Sequence, residues 1–102
     1  MAVIFTTKAN DDLSDITRFY ARRLNLKSTR RKVAIILAGI AKLEQQPISV
    51  GLATELPNVY YWVLDVTATD GYLVYFRRVS PDLRVYRVVP ARGEPLTPEE
   101  IV

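Results

Sequence analysis

The chain has 102 residues and contains neither cysteine nor histidine. Without cysteine there are no disulfides and no thiolate metal sites, which suits a reducing compartment. Without histidine the usual general base, the usual imidazole metal ligand and every Ser-His or Cys-His nucleophile system are excluded. Any catalysis would have to come from Arg, Lys, Tyr, Ser, Thr or carboxylates. No apolar run approaches the roughly 20 residues that span a bilayer, and the first residues, Met1 to Thr6, lack the basic stretch of a signal peptide. These absences predict a cytoplasmic protein with no membrane association and no cofactor.

The composition that remains is that of one folded domain, expected to occupy residues 1–102. About half of the residues are hydrophobic (49%) and a quarter charged (25%). A chain this short holds one core. The formal charge of +3 and a pI near 9.4 lean toward an anionic partner, either nucleic acid or an acidic protein.

Hydrophobic periodicity then predicts the elements. Ala2 to Thr6 is β-branched and aromatic, a first strand. Thr7 is suited to cap a helix with Asp11 and Asp12 early in it, and Ala9, Leu13, Ile16, Tyr20 and Leu24 recur at helical spacing. Arg22 and Arg23 fall in its last turn and Asn25 at its exit. Ser28 or Thr29 is suited to cap a second helix carrying Val33, Ile36, Leu37, Ile40 and Leu43, with Pro47 beyond its end. The short link makes the two helices an antiparallel hairpin. Beyond Pro57 the period changes. Tyr60 to Val66, Tyr72 to Arg78 and Leu83 to Val89 read as strands, separated by turns at Thr69-Asp70-Gly71 and Ser80-Pro81-Asp82. They form an antiparallel meander. Thr97-Pro98-Glu99-Glu100 reads as a helix start with little room to continue. The order β-α-α-β-β-β predicts an α+β fold, an antiparallel sheet with a helical hairpin on one face and the first strand added at an edge.

Candidate functional residues are chiefly basic. Arg77, Arg78, Arg84, Arg87 and Arg92 fall on or just after two neighbouring strands, a candidate patch for phosphate or for an acidic protein segment. Strict alternation would put Arg84 and Arg92 on one face and Arg87 on the other. Defence of a strand edge by charge, with Asp65 or Asp82 as partners, would account for the same residues structurally. Arg30, Arg31 and Lys32 stand near the start of the second helix, against the preference of its dipole, and suggest a partner contact. Tyr60, Trp62 and Leu64 share the parity expected to be buried, which leaves Tyr61 as the aromatic candidate for partner binding. Asp11 and Asp15, one helical turn apart, are explained by solvation more simply than by a metal.

Longer motifs support a family resemblance. Phe5-Thr6-Thr7-Lys8-Ala9-Asn10-Asp11-Asp12-Leu13 resembles the opening strand and Ala-x-x-Asp-Leu helix start of the RelE/ParE toxin superfamily. Leu43-Glu44-Gln45-Gln46-Pro47 with Gly51-Leu52 is similar to its second-helix exit. Gly71 to Phe76 is similar to its middle strand, and Val85-Tyr86-Arg87-Val88-Val89-Pro90-Ala91-Arg92 to its last. The resemblance implies the toxin of a type II toxin–antitoxin pair, bound and neutralised by a cognate antitoxin in a hetero-oligomer. Such toxins share one fold and act on DNA gyrase (ParE-like) or on ribosome-bound mRNA (RelE-like), so the site residues have to discriminate. RelE-like ribonucleases use lysines before the meander, arginines on its middle strand and after its last, and a C-terminal tyrosine. Here Arg92 matches the arginine after the last strand, the one catalytic candidate. Leu73 stands at the middle-strand position, no lysine follows Lys42 and no tyrosine follows Tyr86. The resemblance therefore favours a ParE-like inhibitor over an enzyme, with metal-independent endoribonuclease activity as the alternative. A non-toxic interaction module on the same fold is a third reading.

Overall fold

The computed structural model of the chain describes residues 2–46, 51–65, 71–92 and 95–102. The elements run β1 (Val3–Phe5), α1 (Thr7–Ala21), α2 (Leu26–Glu44), β2 (Leu52–Ala53), β3 (Tyr60–Asp65), β4 (Gly71–Val79), β5 (Asp82–Pro90) and α3 (Pro98–Ile101). Pro47, Val66, Thr69 and Asp70, which the sequence assigns to a helix exit, a strand end and a turn, lie outside the described residues.

The α+β plan with a helical hairpin holds. β3, β4 and β5 form the antiparallel meander, and the sheet order is β1-β5-β4-β3-β2. The sheet is nevertheless mixed rather than wholly antiparallel, because β1 runs parallel to β5, with Val3 opposite Leu83 and Phe5 opposite Val85. An edge strand followed by two helices returns to the sheet from either direction, so strand order alone leaves its orientation open. β2, only two residues long, pairs with Tyr60 and Tyr61 at the other edge.

The helix caps differ from expectation by a few residues. Thr6, not Thr7, caps α1, its hydroxyl accepting from the Ala9 amide at 3.2 Å. Asn25 does not close α1 but opens α2, its side chain accepting from the Ser28 amide at 2.8 Å. Ser28 and Thr29 therefore lie inside the helix, and the Thr29 hydroxyl donates back to the Asn25 carbonyl. An asparagine between two helices suits either role; the short loop leaves room for one, and capping satisfies a free amide.

Two apolar clusters flank the sheet. On one face Ile16 and Tyr20 of α1 and Ile36, Ile40 and Leu43 of α2 pack on Leu64, Tyr72, Val74, Phe76, Leu83, Val85 and Val88. Tyr60 and Trp62 join this side, as their parity requires. On the opposite face α3 and Leu96 cover Val59, Tyr75, Leu73, Val89 and Tyr61. The C-terminal turn thus has a packing role: Ile101 is 1% exposed. Glu100 locks its start by accepting from the amide and the hydroxyl of Thr97, each at 3.0 Å.

Candidate functional site

The feature that organises the site is an irregularity in β5. Tyr75 pairs with Arg87 and Phe76 with Val85, so Tyr86 is an extra residue, a β-bulge. The bulge overturns the alternation expected for the arginines. Arg84 lies opposite Arg77, and Arg87 lies opposite Tyr75, so Arg84 and Arg87 share the face covered by α3.

β1 covers only the first part of the outer edge of β5. Beyond it, side chains from the start of α1 take over. The Thr6 amide donates to the Val85 carbonyl at 3.0 Å, the Thr6 hydroxyl to the Tyr86 carbonyl at 3.0 Å, and the Val88 amide to Asp12 Oδ2 at 3.0 Å. Pro90, two residues on, has no amide to offer. Asp12 also receives the Nε and Nη2 donors of the Arg87 guanidinium, and the charge-assisted bonds raise the Arg87 pKa and hold it charged. The third arm of Arg87 donates to the Glu100 carbonyl, tying α1, β5 and α3 together. Lys8 reinforces this by donating to the Glu99 and Val102 carbonyls.

Beside this junction, between α1 and the ends of β4 and β5, lies a pocket of about 490 Å³. Ile16, Tyr72 and Val88 form its apolar floor, and Phe19, Asp12 and Arg92 stand at its rim. The Tyr72 hydroxyl is held against that of Tyr20 at 2.8 Å, which fixes the floor. Phe19 is 46% exposed, with the Arg23 guanidinium stacked 3.9 Å from its ring centre. The pocket can hold an apolar group with a charged neighbour. Among the described residues no group of three or more His, Cys, Asp or Glu side chains is arranged to hold a metal, and the Asp15 carboxylate pairs with Arg18.

The five candidate arginines are distributed over four environments rather than gathered in one. Arg77 and Arg84 are exposed and adjacent across the hairpin. Arg78 turns to the helical face and donates to the carbonyls of Leu43 and Glu44 at the end of α2, at 3.1 and 3.4 Å. Arg87 is committed to Asp12, and Arg92 stands exposed at the pocket rim. Among the described residues the anticipated partners Asp65 and Asp82 form no ion pair with them; Asp82 accepts from the Ala2 amide instead. Arg30 and Arg31 are exposed on α2, about one turn inside its start at Leu26, where the dipole has largely faded. Tyr61 is half-buried against Tyr75, ring centres 5.7 Å apart. Asp12 and Lys8 were not singled out from the sequence, because a lone acid or base at a helix start carries no signal of what it will reach.

A family model for the ParE toxin of the type II toxin–antitoxin system parDE matches residues 3–95. The chain belongs to this ParE toxin family. Among solved structures it is similar to one described as the chromosomal ParDE system from P. aeruginosa, with a TM-score of 0.72 and 21% identity over 90% of this chain and 97% of that one. It is also similar to a YoeB/ParE toxin from Agrobacterium tumefaciens, with a TM-score of 0.55 and 18% identity over 90% of this chain and 100% of that one. No curated protein sequence matches the chain. The ParE family model ends before α3, so the segment that Arg87 and Lys8 tie down lies outside the matched residues. The RelE/ParE resemblance and the type II toxin class read from the sequence are thereby supported, and the family implies a cognate antitoxin as partner. Among the described residues no helix is long and apolar enough to cross a membrane.

Proposed function

We propose that the chain is a single-domain cytoplasmic toxin that arrests growth by inhibiting DNA gyrase through a binding surface, and that a cognate antitoxin silences it by forming a hetero-oligomer with it. The family match over residues 3–95 carries this reading. The disposition of the arginines favours an inhibitor over a ribonuclease. Stabilising a phosphorane calls for several donors converging on one point. Here Arg87 is engaged by Asp12, Arg78 by the end of α2, and Leu73 faces the cluster beneath α3. Arg92 then stands at the pocket rim, and the other arginine of the lining, Arg87, is committed to Asp12.

The test is expression of the protein alone from a tightly repressed promoter, with DNA supercoiling and messenger-RNA integrity followed in the same cells. Loss of supercoiling with intact messages, reversed by the antitoxin, is the expected result. Codon-positioned message cleavage that disappears in Arg92→Ala would overturn it and assign a ribonuclease. Normal growth during strong expression of the folded protein would remove the toxin reading altogether.

A further inference from the structure

The charge of the chain is divided unevenly along it. From Ile16 to Leu43 there is no aspartate or glutamate, yet this stretch holds eight of the fourteen Lys and Arg residues. Most of these cations gather where α1 turns into α2. Arg22 follows α1, Lys27 lies in the first turn of α2, and Arg30 and Arg31 lie in the second. All four are exposed, and none of their side chains makes a hydrogen bond or ion pair with any of the described residues.

Local structure accounts for only part of this. Arg22 sits at the negative end of the α1 dipole and is favoured there. Lys27 sits at the positive end of the α2 dipole and is not. Lys27 also stands three and four positions before Arg30 and Arg31, so like charges face one another on the same side of the helix at a further cost. The apolar stripe of α2, carrying Ile36, Ile40 and Leu43, is used on the sheet, so the basic side is directed outward. A folded protein that carries these repulsions gains from them when an anion with several charges occupies the surface.

We propose that the turn end of the α1–α2 hairpin is a binding surface for the phosphate backbone of double-stranded DNA. The cations are exposed, and Lys27 stands about one helical turn, ~5.4 Å, from Arg30 and Arg31. That arrangement suits a backbone carrying a charge at every step, contacted without regard to sequence. A protein segment would call for a pocket between the cations to seat an anchor residue; the pockets along α1 reach Arg22 but are not lined by Lys27, Arg30 or Arg31. A membrane would call for an apolar stripe beside them. Leu24 and Leu26 are exposed here, with Ile35 and Leu37 farther along α2, but the Ile36, Ile40 and Leu43 stripe is buried against the sheet. The proposal does not depend on gyrase being the target, since none of the four cations lines the pocket that holds Arg92.

The experiment is fluorescence anisotropy of a labelled random-sequence duplex titrated with the purified full-length chain. Four phosphate contacts give a slope of log K against log salt of about −3.6, and so a loss of about 10²-fold between about 50 and 200 mM salt. The variant Arg22→Gln/Lys27→Gln/Arg30→Gln/Arg31→Gln is expected to bind at least about 30-fold more weakly at the lower salt, with a slope near zero. Arg77→Gln/Arg84→Gln, on the far side of the sheet, should change binding less than about threefold. The pair Arg30→Gln/Arg31→Gln gives an intermediate loss and remains informative if the fourfold variant folds poorly. Equal losses from the hairpin and sheet variants would show a net-charge effect and overturn the proposal. So would binding of a glutamate decamer or of phosphatidylserine vesicles in preference to the duplex, or a wild-type slope near zero.

Discussion

Arg87 of β5 grips Asp12 of α1 through Nε to Oδ2 at 2.7 Å and Nη2 to Oδ1 at 2.9 Å, while Asp12 also accepts the Val88 amide. One carboxylate thereby does two jobs: it neutralises a largely buried guanidinium and closes the strand edge where β1 stops. An edge left with a bare amide would be open to pairing with another chain.

Asp12→Ala is therefore expected to destabilise the fold by about 3 kcal/mol, since it strands both a buried cation and a strand amide. In a domain of this size that lowers Tm by roughly 10–20 °C. Asp12→Asn keeps an oxygen for Val88 and should cost less. A double-mutant cycle between Asp12→Ala and Arg87→Ala, followed by chemical denaturation, measures the coupling. A coupling energy near zero would mean that the pair contributes only geometry.

These residues mark where the sequence stops being informative. The meander is readable because the aromatic and β-branched run Tyr72-Leu73-Val74-Tyr75-Phe76 and the alternation in Leu83-Arg84-Val85 are local, and the helices because Ile36, Ile40 and Leu43 repeat at helical spacing. The bulge at Tyr86 is not, since no glycine or break in hydrophobicity announces it, and it inverts the face assigned to Arg87. The parallel direction of β1, the Asp12–Arg87 junction and the Lys8 contacts to α3 all join positions more than 70 residues apart. Long-range pairing of that kind leaves no periodic trace. The candidate arginines fall on neighbouring elements but do not converge, because Arg78 and Arg87 meet intramolecular acceptors.

Gly39 tests the packing of α2 on the sheet. In an exposed helix, glycine to alanine gains about 1 kcal/mol. At position 39 an added Cβ would lie 2.3 Å from Leu64 Cδ1, a side chain only 8% exposed. Overpacking of this kind costs about 1–3 kcal/mol, so Gly39→Ala should lower stability on balance. Gly39→Ala/Leu64→Val should recover part of the loss in a thermal melt. A more stable single variant would show that Leu64 moves aside freely.

Arg78 closes the other end of the same helix. Its guanidinium donates to the Glu44 carbonyl and to the Leu43 carbonyl, which also accepts from the Gln46 amide. Arg78→Leu keeps apolar bulk beside Phe76 but removes the donors, and should cost about 1–3 kcal/mol. Hydrogen exchange should quicken at the last turn of α2 well before it does in β4. Uniform protection throughout would locate the role of Arg78 elsewhere.

Acid should loosen α3 before it unfolds the sheet. The Glu100 carboxylate accepts from the Thr97 amide and hydroxyl, and these bonds, the backbone one first, lower its pKa from the ordinary 4.5. Because the folded-state pKa lies below the unfolded one, the capping contribution is fully present above about pH 4.5 and is lost as the pH falls through the depressed value. Glu100→Gln retains a capping side chain that does not titrate. Its acid limb should therefore be flatter than that of the wild type when the Ile101 methyl resonances are followed by NMR against pH. Superimposable titrations would mean that the Thr97–Glu100 box does not hold the turn, and that Ile101 with the Arg87 and Lys8 contacts to the carbonyls of Glu100, Glu99 and Val102 suffices.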